Sequence, residues 1–202
     1  MSQEYGEAIK DKMLATGIRV GTRVKTKFMA PFITAASMEG LYQFDIDNTL
    51  QRIDAAARFI HNVGAEQVLV CSGREYAYSP IEKFCELVGA NMKLNRFMPG
   101  TLTNPSLKYY TEPRLLLVSD PQIDEQAVIE AANAGIPVVG IANSDNITSN
   151  IDLVIPANNK GRRSLATIYW LLARRILIER GQIGEDDAMP YEIDDFETKQ
   201  PE

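Results

Sequence analysis

Apolar residues recur along this chain in two rhythms, short runs suited to strands and wider stripes at the helical repeat, and the two alternate. Leu41 to Ile46 alternates apolar and polar positions as a strand does. Asp47 or Asn48 can then cap a helix whose stripe is Leu50, Ile53, Ala57, Ile60 and Val63, stopped by Gly64. Gln67 to Cys71 is a short apolar run, followed by a Ser72-Gly73 turn and an amphipathic helix over Ile81 to Val88, entered behind Pro80 and closed by Gly89. Leu115 to Ser119, a helix over Asp124 to Ala134 ended by Gly135, and Pro137 to Ile141 form the next unit. Leu153 to Ile155 is the last strand and Lys160 to Arg180 the last helix. Ahead of them all, Tyr5, Ala8, Ile9 and Met13 mark a helix over Gln3 to Ala15 with Gly17 as its stop. Short apolar strands alternating with helices belong to parallel β-α-β units, because strands covered on both faces need not alternate. The pattern therefore predicts a three-layer α/β sandwich, doubly wound, with about five parallel strands.

The chain has 202 residues, 45% of them apolar, which suits one domain and a tail. A body of that size buries enough surface to stand without disulfides or a structural metal. Cys71 and Cys85 then read as buried apolar thiols of a reducing cytoplasm, since with His61 as the one histidine a zinc site would need carboxylates. No metal and no cofactor is expected. The first twelve residues lack a signal-peptide core, and the longest apolar stretch, Leu165 to Ile178, is broken by Arg174 and Arg175, so no membrane contact is expected.

Charge divides the chain. Residues 182–202 hold eight acids against Lys199, a net of −7, and few apolar groups, which predicts a disordered tail beyond a folded body at 1–181. The body carries 20 bases and 19 acids, but unevenly. Lys10 to Met38 has six bases against Asp11, Leu87 to Ser119 has four against Glu112, and Lys160, Arg162 and Arg163 open the last helix. Clusters of that kind fit a polyanion, and taken singly each fits a solvated surface equally well.

Doubly wound sheets usually bind ligands at the carboxyl ends of their strands, so an enzyme is the first class to test. The chain contains no G-x-G-x-x-G, no G-x-x-x-x-G-K-[ST] and no G-x-S-x-G. Ser72, Ser119, Asp120, Asn143 and Asp145 follow strands, where such residues more often cap helices or close turns than catalyse. His61 fits a partly buried helix end better than a general base. No catalytic residue is assigned, and an α/β protein acting on a small phosphorylated ligand stands as the alternative reading.

Arg96 to Pro105 is a richer stretch, joining a base and an aromatic to two hydroxyls, an amide and turn-setting residues. Arg96 can pair a phosphate in bidentate fashion, and Thr101, Thr103 and Asn104 can donate to phosphate or 2′-hydroxyl oxygens, whereas Phe97 reads first as core. Tyr109 and Tyr110 repeat the mixture between Lys108 and Arg114. On the last helix, Leu165, Ile168, Tyr169, Leu172 and Ile176 share one face. Arg163, Trp170 and Arg174 line nearly the opposite one, a second contact face for RNA, for a protein, or for burial.

The blocks Arg96-Phe-Met-Pro-Gly-Thr-Leu-Thr-Asn104, Glu112-Pro-Arg-Leu-Leu-Leu-Val-Ser-Asp-Pro121, Ile155-Pro-Ala-Asn-Asn-Lys-Gly161 and Trp170-Leu-Leu-Ala-Arg174 resemble the universal small-subunit ribosomal protein S-two family. The archaeal and eukaryotic branch, like the laminin-receptor precursor, is the nearest in pattern. Gly21 to Ile33, Ile53 to Ile60 and Arg180 to Ile183 extend the likeness over nearly the whole body. The resemblance implies a flavodoxin-like fold and a non-catalytic structural role in the cytoplasm, on the small ribosomal subunit near the junction of head and body. The implied partners are small-subunit rRNA of 16S type and neighbouring ribosomal proteins. Carried onto matching positions, the implied rRNA contacts are Lys25, Lys27, Arg96, Thr103, Asn104, Asn158, Asn159, Lys160 and Arg162. Bacterial members look as if a helical hairpin follows Asn104, where this chain has only Pro105 to Thr111 before Glu112. Eukaryotic members carry a longer C-terminal extension than this chain, so an archaeal member without laminin binding is expected.

Overall fold

The computed structural model describes residues 13–185 and 187–199. Residues 13–15 form the last turn of a helix, with Met13 wholly buried, and the rest of the helix expected over Gln3 to Ala15 lies outside the described residues. A hairpin-like ribbon comes first, β1 (Ile33–Ala36) antiparallel to β2 (Tyr42–Phe44), followed by α1 (Ile46–Val63). The main sheet then builds through β3 (Val68–Ser72), α2 (Tyr78–Val88), β4 (Asn91–Leu94), β5 (Leu115–Val118), α3 (Glu125–Ala134), β6 (Val138–Ala142), β7 (Leu153–Pro156) and α4 (Arg162–Glu179). All of its pairings are parallel and the order is β4-β3-β5-β6-β7, the flavodoxin-like order.

The central strands show why unbroken apolar runs mark parallel sheets. Val68 and Val70 face one side and Leu69 and Cys71 the other, as do Leu115 and Leu117 against Leu116 and Val118, and all are buried. The first side packs against α1, α2 and α4; the second packs against α3 and the loop carrying Phe97 and Leu102. Phe84 of α2 meets Tyr169 of α4 edge-to-face at 5.6 Å. Asp54 of α1 holds Arg175 of α4 in a bidentate pair, with Nη2 donating to Oδ2 at 2.8 Å.

The count of five strands matches the sequence reading, but its membership differs. Leu41 to Ile46 contributes β2 to the separate ribbon, because β7 is already the edge that this ribbon covers: Phe44 and Ala142 are buried together, with Phe32, Ile33 and Val154 packed around them. The strand that replaces it, β4, lies at the opposite edge, where Asn91 and Met92 are exposed and no apolar run announces it. His61 is exposed rather than partly buried, at the end of α1 leading toward the start of β3, away from the strand carboxyl ends.

The acidic tail is also different from its expectation. Composition predicts no order past residue 181, whereas α5 (Ile193–Phe196) docks against α4 with Phe196 fully buried, and Met189, Tyr191 and Ile193 pack around it. Four apolar side chains spaced among acids supply the buried surface that an average over the segment conceals.

Candidate nucleic-acid interface

Because the five strands are parallel, the loops after β3, β4, β5, β6 and β7 all open on one rim of the sheet. At the switch point between β3 and β5, where doubly wound folds commonly hold a ligand, this chain places its own side chains. Arg74 pairs with Asp120, whose side chain is 2% exposed, and the other oxygen of Asp120 accepts from the Gln122 N–H at 3.0 Å and the Asn146 amide at 3.1 Å. Asp124 accepts from the Gly73 N–H at 2.7 Å. A Cβ at Gly73 would lie 2.7 Å from Ile123, so the close approach requires glycine. Ser72 accepts from the Arg74 N–H at 3.1 Å, and Ser119 shares a 2.6 Å hydrogen bond with buried Tyr169. The strand-end residues that raised the enzyme reading are therefore spent inside the protein.

Burial dominates the ionisation of these groups. It pushes the Cys85 thiol up to about 12 and raises Cys71 and Tyr169 as well, which keeps all three in the neutral form. Burial also raises the Asp124 carboxyl from 3.8 to about 6, against the opposing hydrogen bond from Gly73. A carboxyl whose folded value is raised stabilises the fold least above that value. Stability gained through Asp124 is thus full below pH ~4 and lost as pH climbs through 6. Asp124→Asn keeps an acceptor for Gly73 and removes the buried charge. It is expected to stabilise the protein by about 2–3 kcal/mol at pH 7, the gain vanishing near pH 4, in urea unfolding across that range.

The loop after β4 is built around a second buried carboxylate. Glu130 of α3, 4% exposed, accepts from the backbone N–H of Gly100 at 2.7 Å and Leu102 at 3.1 Å, and from Gln126 at 2.8 Å and Thr103 at 3.4 Å. Burial alone would raise its pKa, but these four donors together hold it below the usual carboxylate range. Gly100 sits at φ +88°, and a Cβ there would lie 2.7 Å from Leu107. Asn104 Oδ1 caps the Ser106 N–H at 3.1 Å. The result is a fixed loop that leaves Arg96, Thr103 and Asn104 exposed, with Phe97 packed inward as core.

The remaining sequence-derived residues come from two neighbouring loops. Thr22 N–H donates to Ser144 Oγ at 2.8 Å, Thr26 N–H to Ser144 O at 2.9 Å, and Thr26 Oγ1 to Asn146 O at 2.8 Å, so the loop bearing exposed Lys25 and Lys27 is tied to the loop after β6. After β7, Asn158 Oδ1 accepts from the Lys160 N–H at 3.1 Å, and Lys160 pairs with Asp145 at 2.5 Å. Asn159 points inward and is wholly buried, its amide donating to Ile141 O at 3.1 Å and to Asn146 Oδ1 at 3.0 Å. Expected as an rRNA contact, Asn159 instead has its side-chain amide engaged inside the protein. Asn158 is partly buried, and Arg162 half-exposed, 3.9 Å from Glu197.

The face of α4 expected to seek a second partner is occupied by the chain's own tail. Trp170 Nε1 donates to Tyr191 O at 2.8 Å, Arg174 reaches the backbone carbonyls of Glu185 and Asp187 and is 1% exposed, and Arg163 pairs with Glu197 at 3.2 Å. Of that line only Arg163 is exposed.

The family profile described as Ribosomal protein S2 matches residues 13–109 and 106–178. The chain belongs to the ribosomal protein S2 family. The two matched segments meet in the short connection where bacterial members look as if they carry their hairpin. Relatives named small ribosomal subunit protein uS2 are similar over almost their full length. That of Nitrosopumilus maritimus is 68% identical over 95% of this chain and 92% of its own. That of Cenarchaeum symbiosum is 57% identical over 98% and 95%, and that of Thermofilum pendens 48% identical over 92% and 87%. These relatives are archaeal, as the branch resemblance implies.

Proposed function

We infer that this protein is a structural, non-enzymatic constituent of the small ribosomal subunit, and that it binds rRNA with the loops at the carboxyl rim of its sheet. Family membership and the name carried by its relatives support the first part. The observation that carries the second is the convergence of three basic segments on one rim: the loop after β4, the loop after β7, and the Lys25 and Lys27 loop, which is bonded to the loop after β6. Arg96 stands beyond one edge strand and Lys160 beyond the other. Four inter-strand spacings separate those edges, about 19 Å, enough to span several phosphates. Lys25, Lys27, Arg96, Thr103 and Asn104 are exposed toward RNA; Lys160 and Arg162 turn their remaining donors to phosphate while keeping Asp145 and Glu197, and Asn158 supports the turn beneath them. The acidic tail lies against α4, and its Glu197 reaches Arg162 and Arg163 at the start of that helix.

Binding of small-subunit rRNA across a salt series tests this reading. The wild-type affinity should fall steeply with salt, and Arg96→Ala and Lys27→Ala should each weaken binding and reduce the logarithmic slope by roughly 0.7–0.9. Unchanged affinity and slope in both variants would remove these loops from the interface.

A further inference from the structure

We propose that Phe28 is a stacking platform for an unpaired RNA base, with Lys25 and Lys27 taking the phosphates on either side of it. The proposal rests on the rRNA-binding reading and specifies what this part of the rim recognises. Phe28 lies in the turn 27–29, which is fixed from both directions. Thr26 Oγ1 accepts from the Met29 N–H at 3.3 Å, the Ala30 N–H closes on Thr26 O at 3.1 Å, and Met29 is driven fully inward against Phe44 and Ala142. With Met29 as the anchor, its neighbour Phe28 is turned outward and left 51% exposed on a rigid backbone. Val24 on the same loop and Ile147 on the loop bonded to it are each 62% exposed, further apolar surface on these two loops.

The charges around the ring choose its occupant. Arg23, Lys25 and Lys27 are exposed beside it, and among the described residues none of them is in an ion pair. Lys25 lies 5.1 Å above the Tyr42 ring. Of the two acids in the adjoining loop, Asp145 is paired with Lys160, and Asp152, next to the start of β7, accepts from the Val138 N–H at 2.8 Å. An apolar aromatic face ringed by uncompensated cations suits the π-face of a nucleobase with its phosphates, the combination used for single strands. A duplex keeps its bases stacked within the helix and offers the ring only a backbone.

The test uses the full chain and two probes, a single-stranded oligoadenylate of about 12 nucleotides and an RNA duplex of about 12 base pairs. Phe28→Ala should lose roughly tenfold or more in affinity for the single strand and change little on the duplex. Phe28→Trp should restore single-strand binding, with its indole emission quenched on titration. Lys27→Ala should weaken both probes and lower the salt slope. Equal losses on the two RNAs, or none on either, with Lys27→Ala still effective, would overturn the platform and leave the rim's phosphate role standing; the second pattern would point to a protein covering the ring. Failure of the wild-type chain to bind either RNA would overturn the proposal together with the reading beneath it.

Discussion

Asp120→Ala is expected to destabilise the protein by about 3–5 kcal/mol, because it breaks a buried charge network at its centre. Asp120 holds Arg74, caps Gln122 and receives the Asn146 amide, and Asn146 in turn accepts from Asn143 N–H at 2.6 Å and Asn159 at 3.0 Å. Removing the carboxylate strands a guanidinium whose side chain is only 20% exposed and leaves an amide donor without its acceptor. The network joins the loops after β3, β5, β6 and β7, so its loss should loosen the rim as well as lower stability. Urea unfolding measures the first effect and amide exchange at Asn143 to Asn159 the second. Replacing both partners, Arg74→Met with Asp120→Leu, should recover only the part of the loss that comes from the stranded guanidinium, because the Gln122 N–H and the Asn146 amide still lack their acceptor. A loss below about 1 kcal/mol for Asp120→Ala would mean that solvent reaches the pair and that the rim is held by other contacts.

The same network marks the boundary of what the sequence made legible. Strands covered on both faces announce themselves as Gln67 to Cys71 and Leu115 to Ser119 do, and helices by their stripes and their Gly64, Gly89 and Gly135 stops. The uncovered edge strand β4 carries no such signal because it buries little, and the ribbon of β1 with β2 docks through residues far along the chain. Site residues follow the same logic. Arg96, Lys25 and Lys27 are exposed because long charged side chains are excluded from a core, which composition foresees. Asn159 looks like its exposed neighbours in sequence and is buried because the Ile141 carbonyl and the Asn146 side chain lie within its reach, a fact set by the crossover from β6 to β7. Glu130, the residue that shapes the loop after β4, was not singled out in the sequence. Its signal is a carboxylate on the inward stripe of α3 beside Val128 and Ala131, where an acid needs several donors to be tolerated.

Phe196→Ala is expected to cost about 3–5 kcal/mol, an effect of core size from a segment whose composition reads as solvated tail. Phe196 is fully buried, and the short helix that carries it is closed by a capping box in which Glu192 N–H donates to Asp195 at 2.9 Å. Around it the tail makes directional contacts that fix its register on α4: the Trp170 indole to Tyr191 O, Arg174 to the carbonyls of Glu185 and Asp187, Thr198 to Tyr76 O at 3.0 Å, and Lys83 over the Tyr191 ring at 4.7 Å. Those contacts turn a run of acids into an ordered strap, because the carboxylates that face outward cost little and the apolar residues between them are enough to anchor it. Trp170 is the one tryptophan of the chain and is 8% exposed beneath the strap, so its emission reports docking without a label. Phe196→Ala should shift that emission to the red at denaturant concentrations where the wild type is still native, and a chain ending at Gly184 should show the shifted emission in buffer alone. Unshifted emission and unchanged unfolding in both variants would return residues 185–199 to the solvated tail that their net charge suggests, and would reopen the Arg163, Trp170 and Arg174 face of α4 to an outside partner.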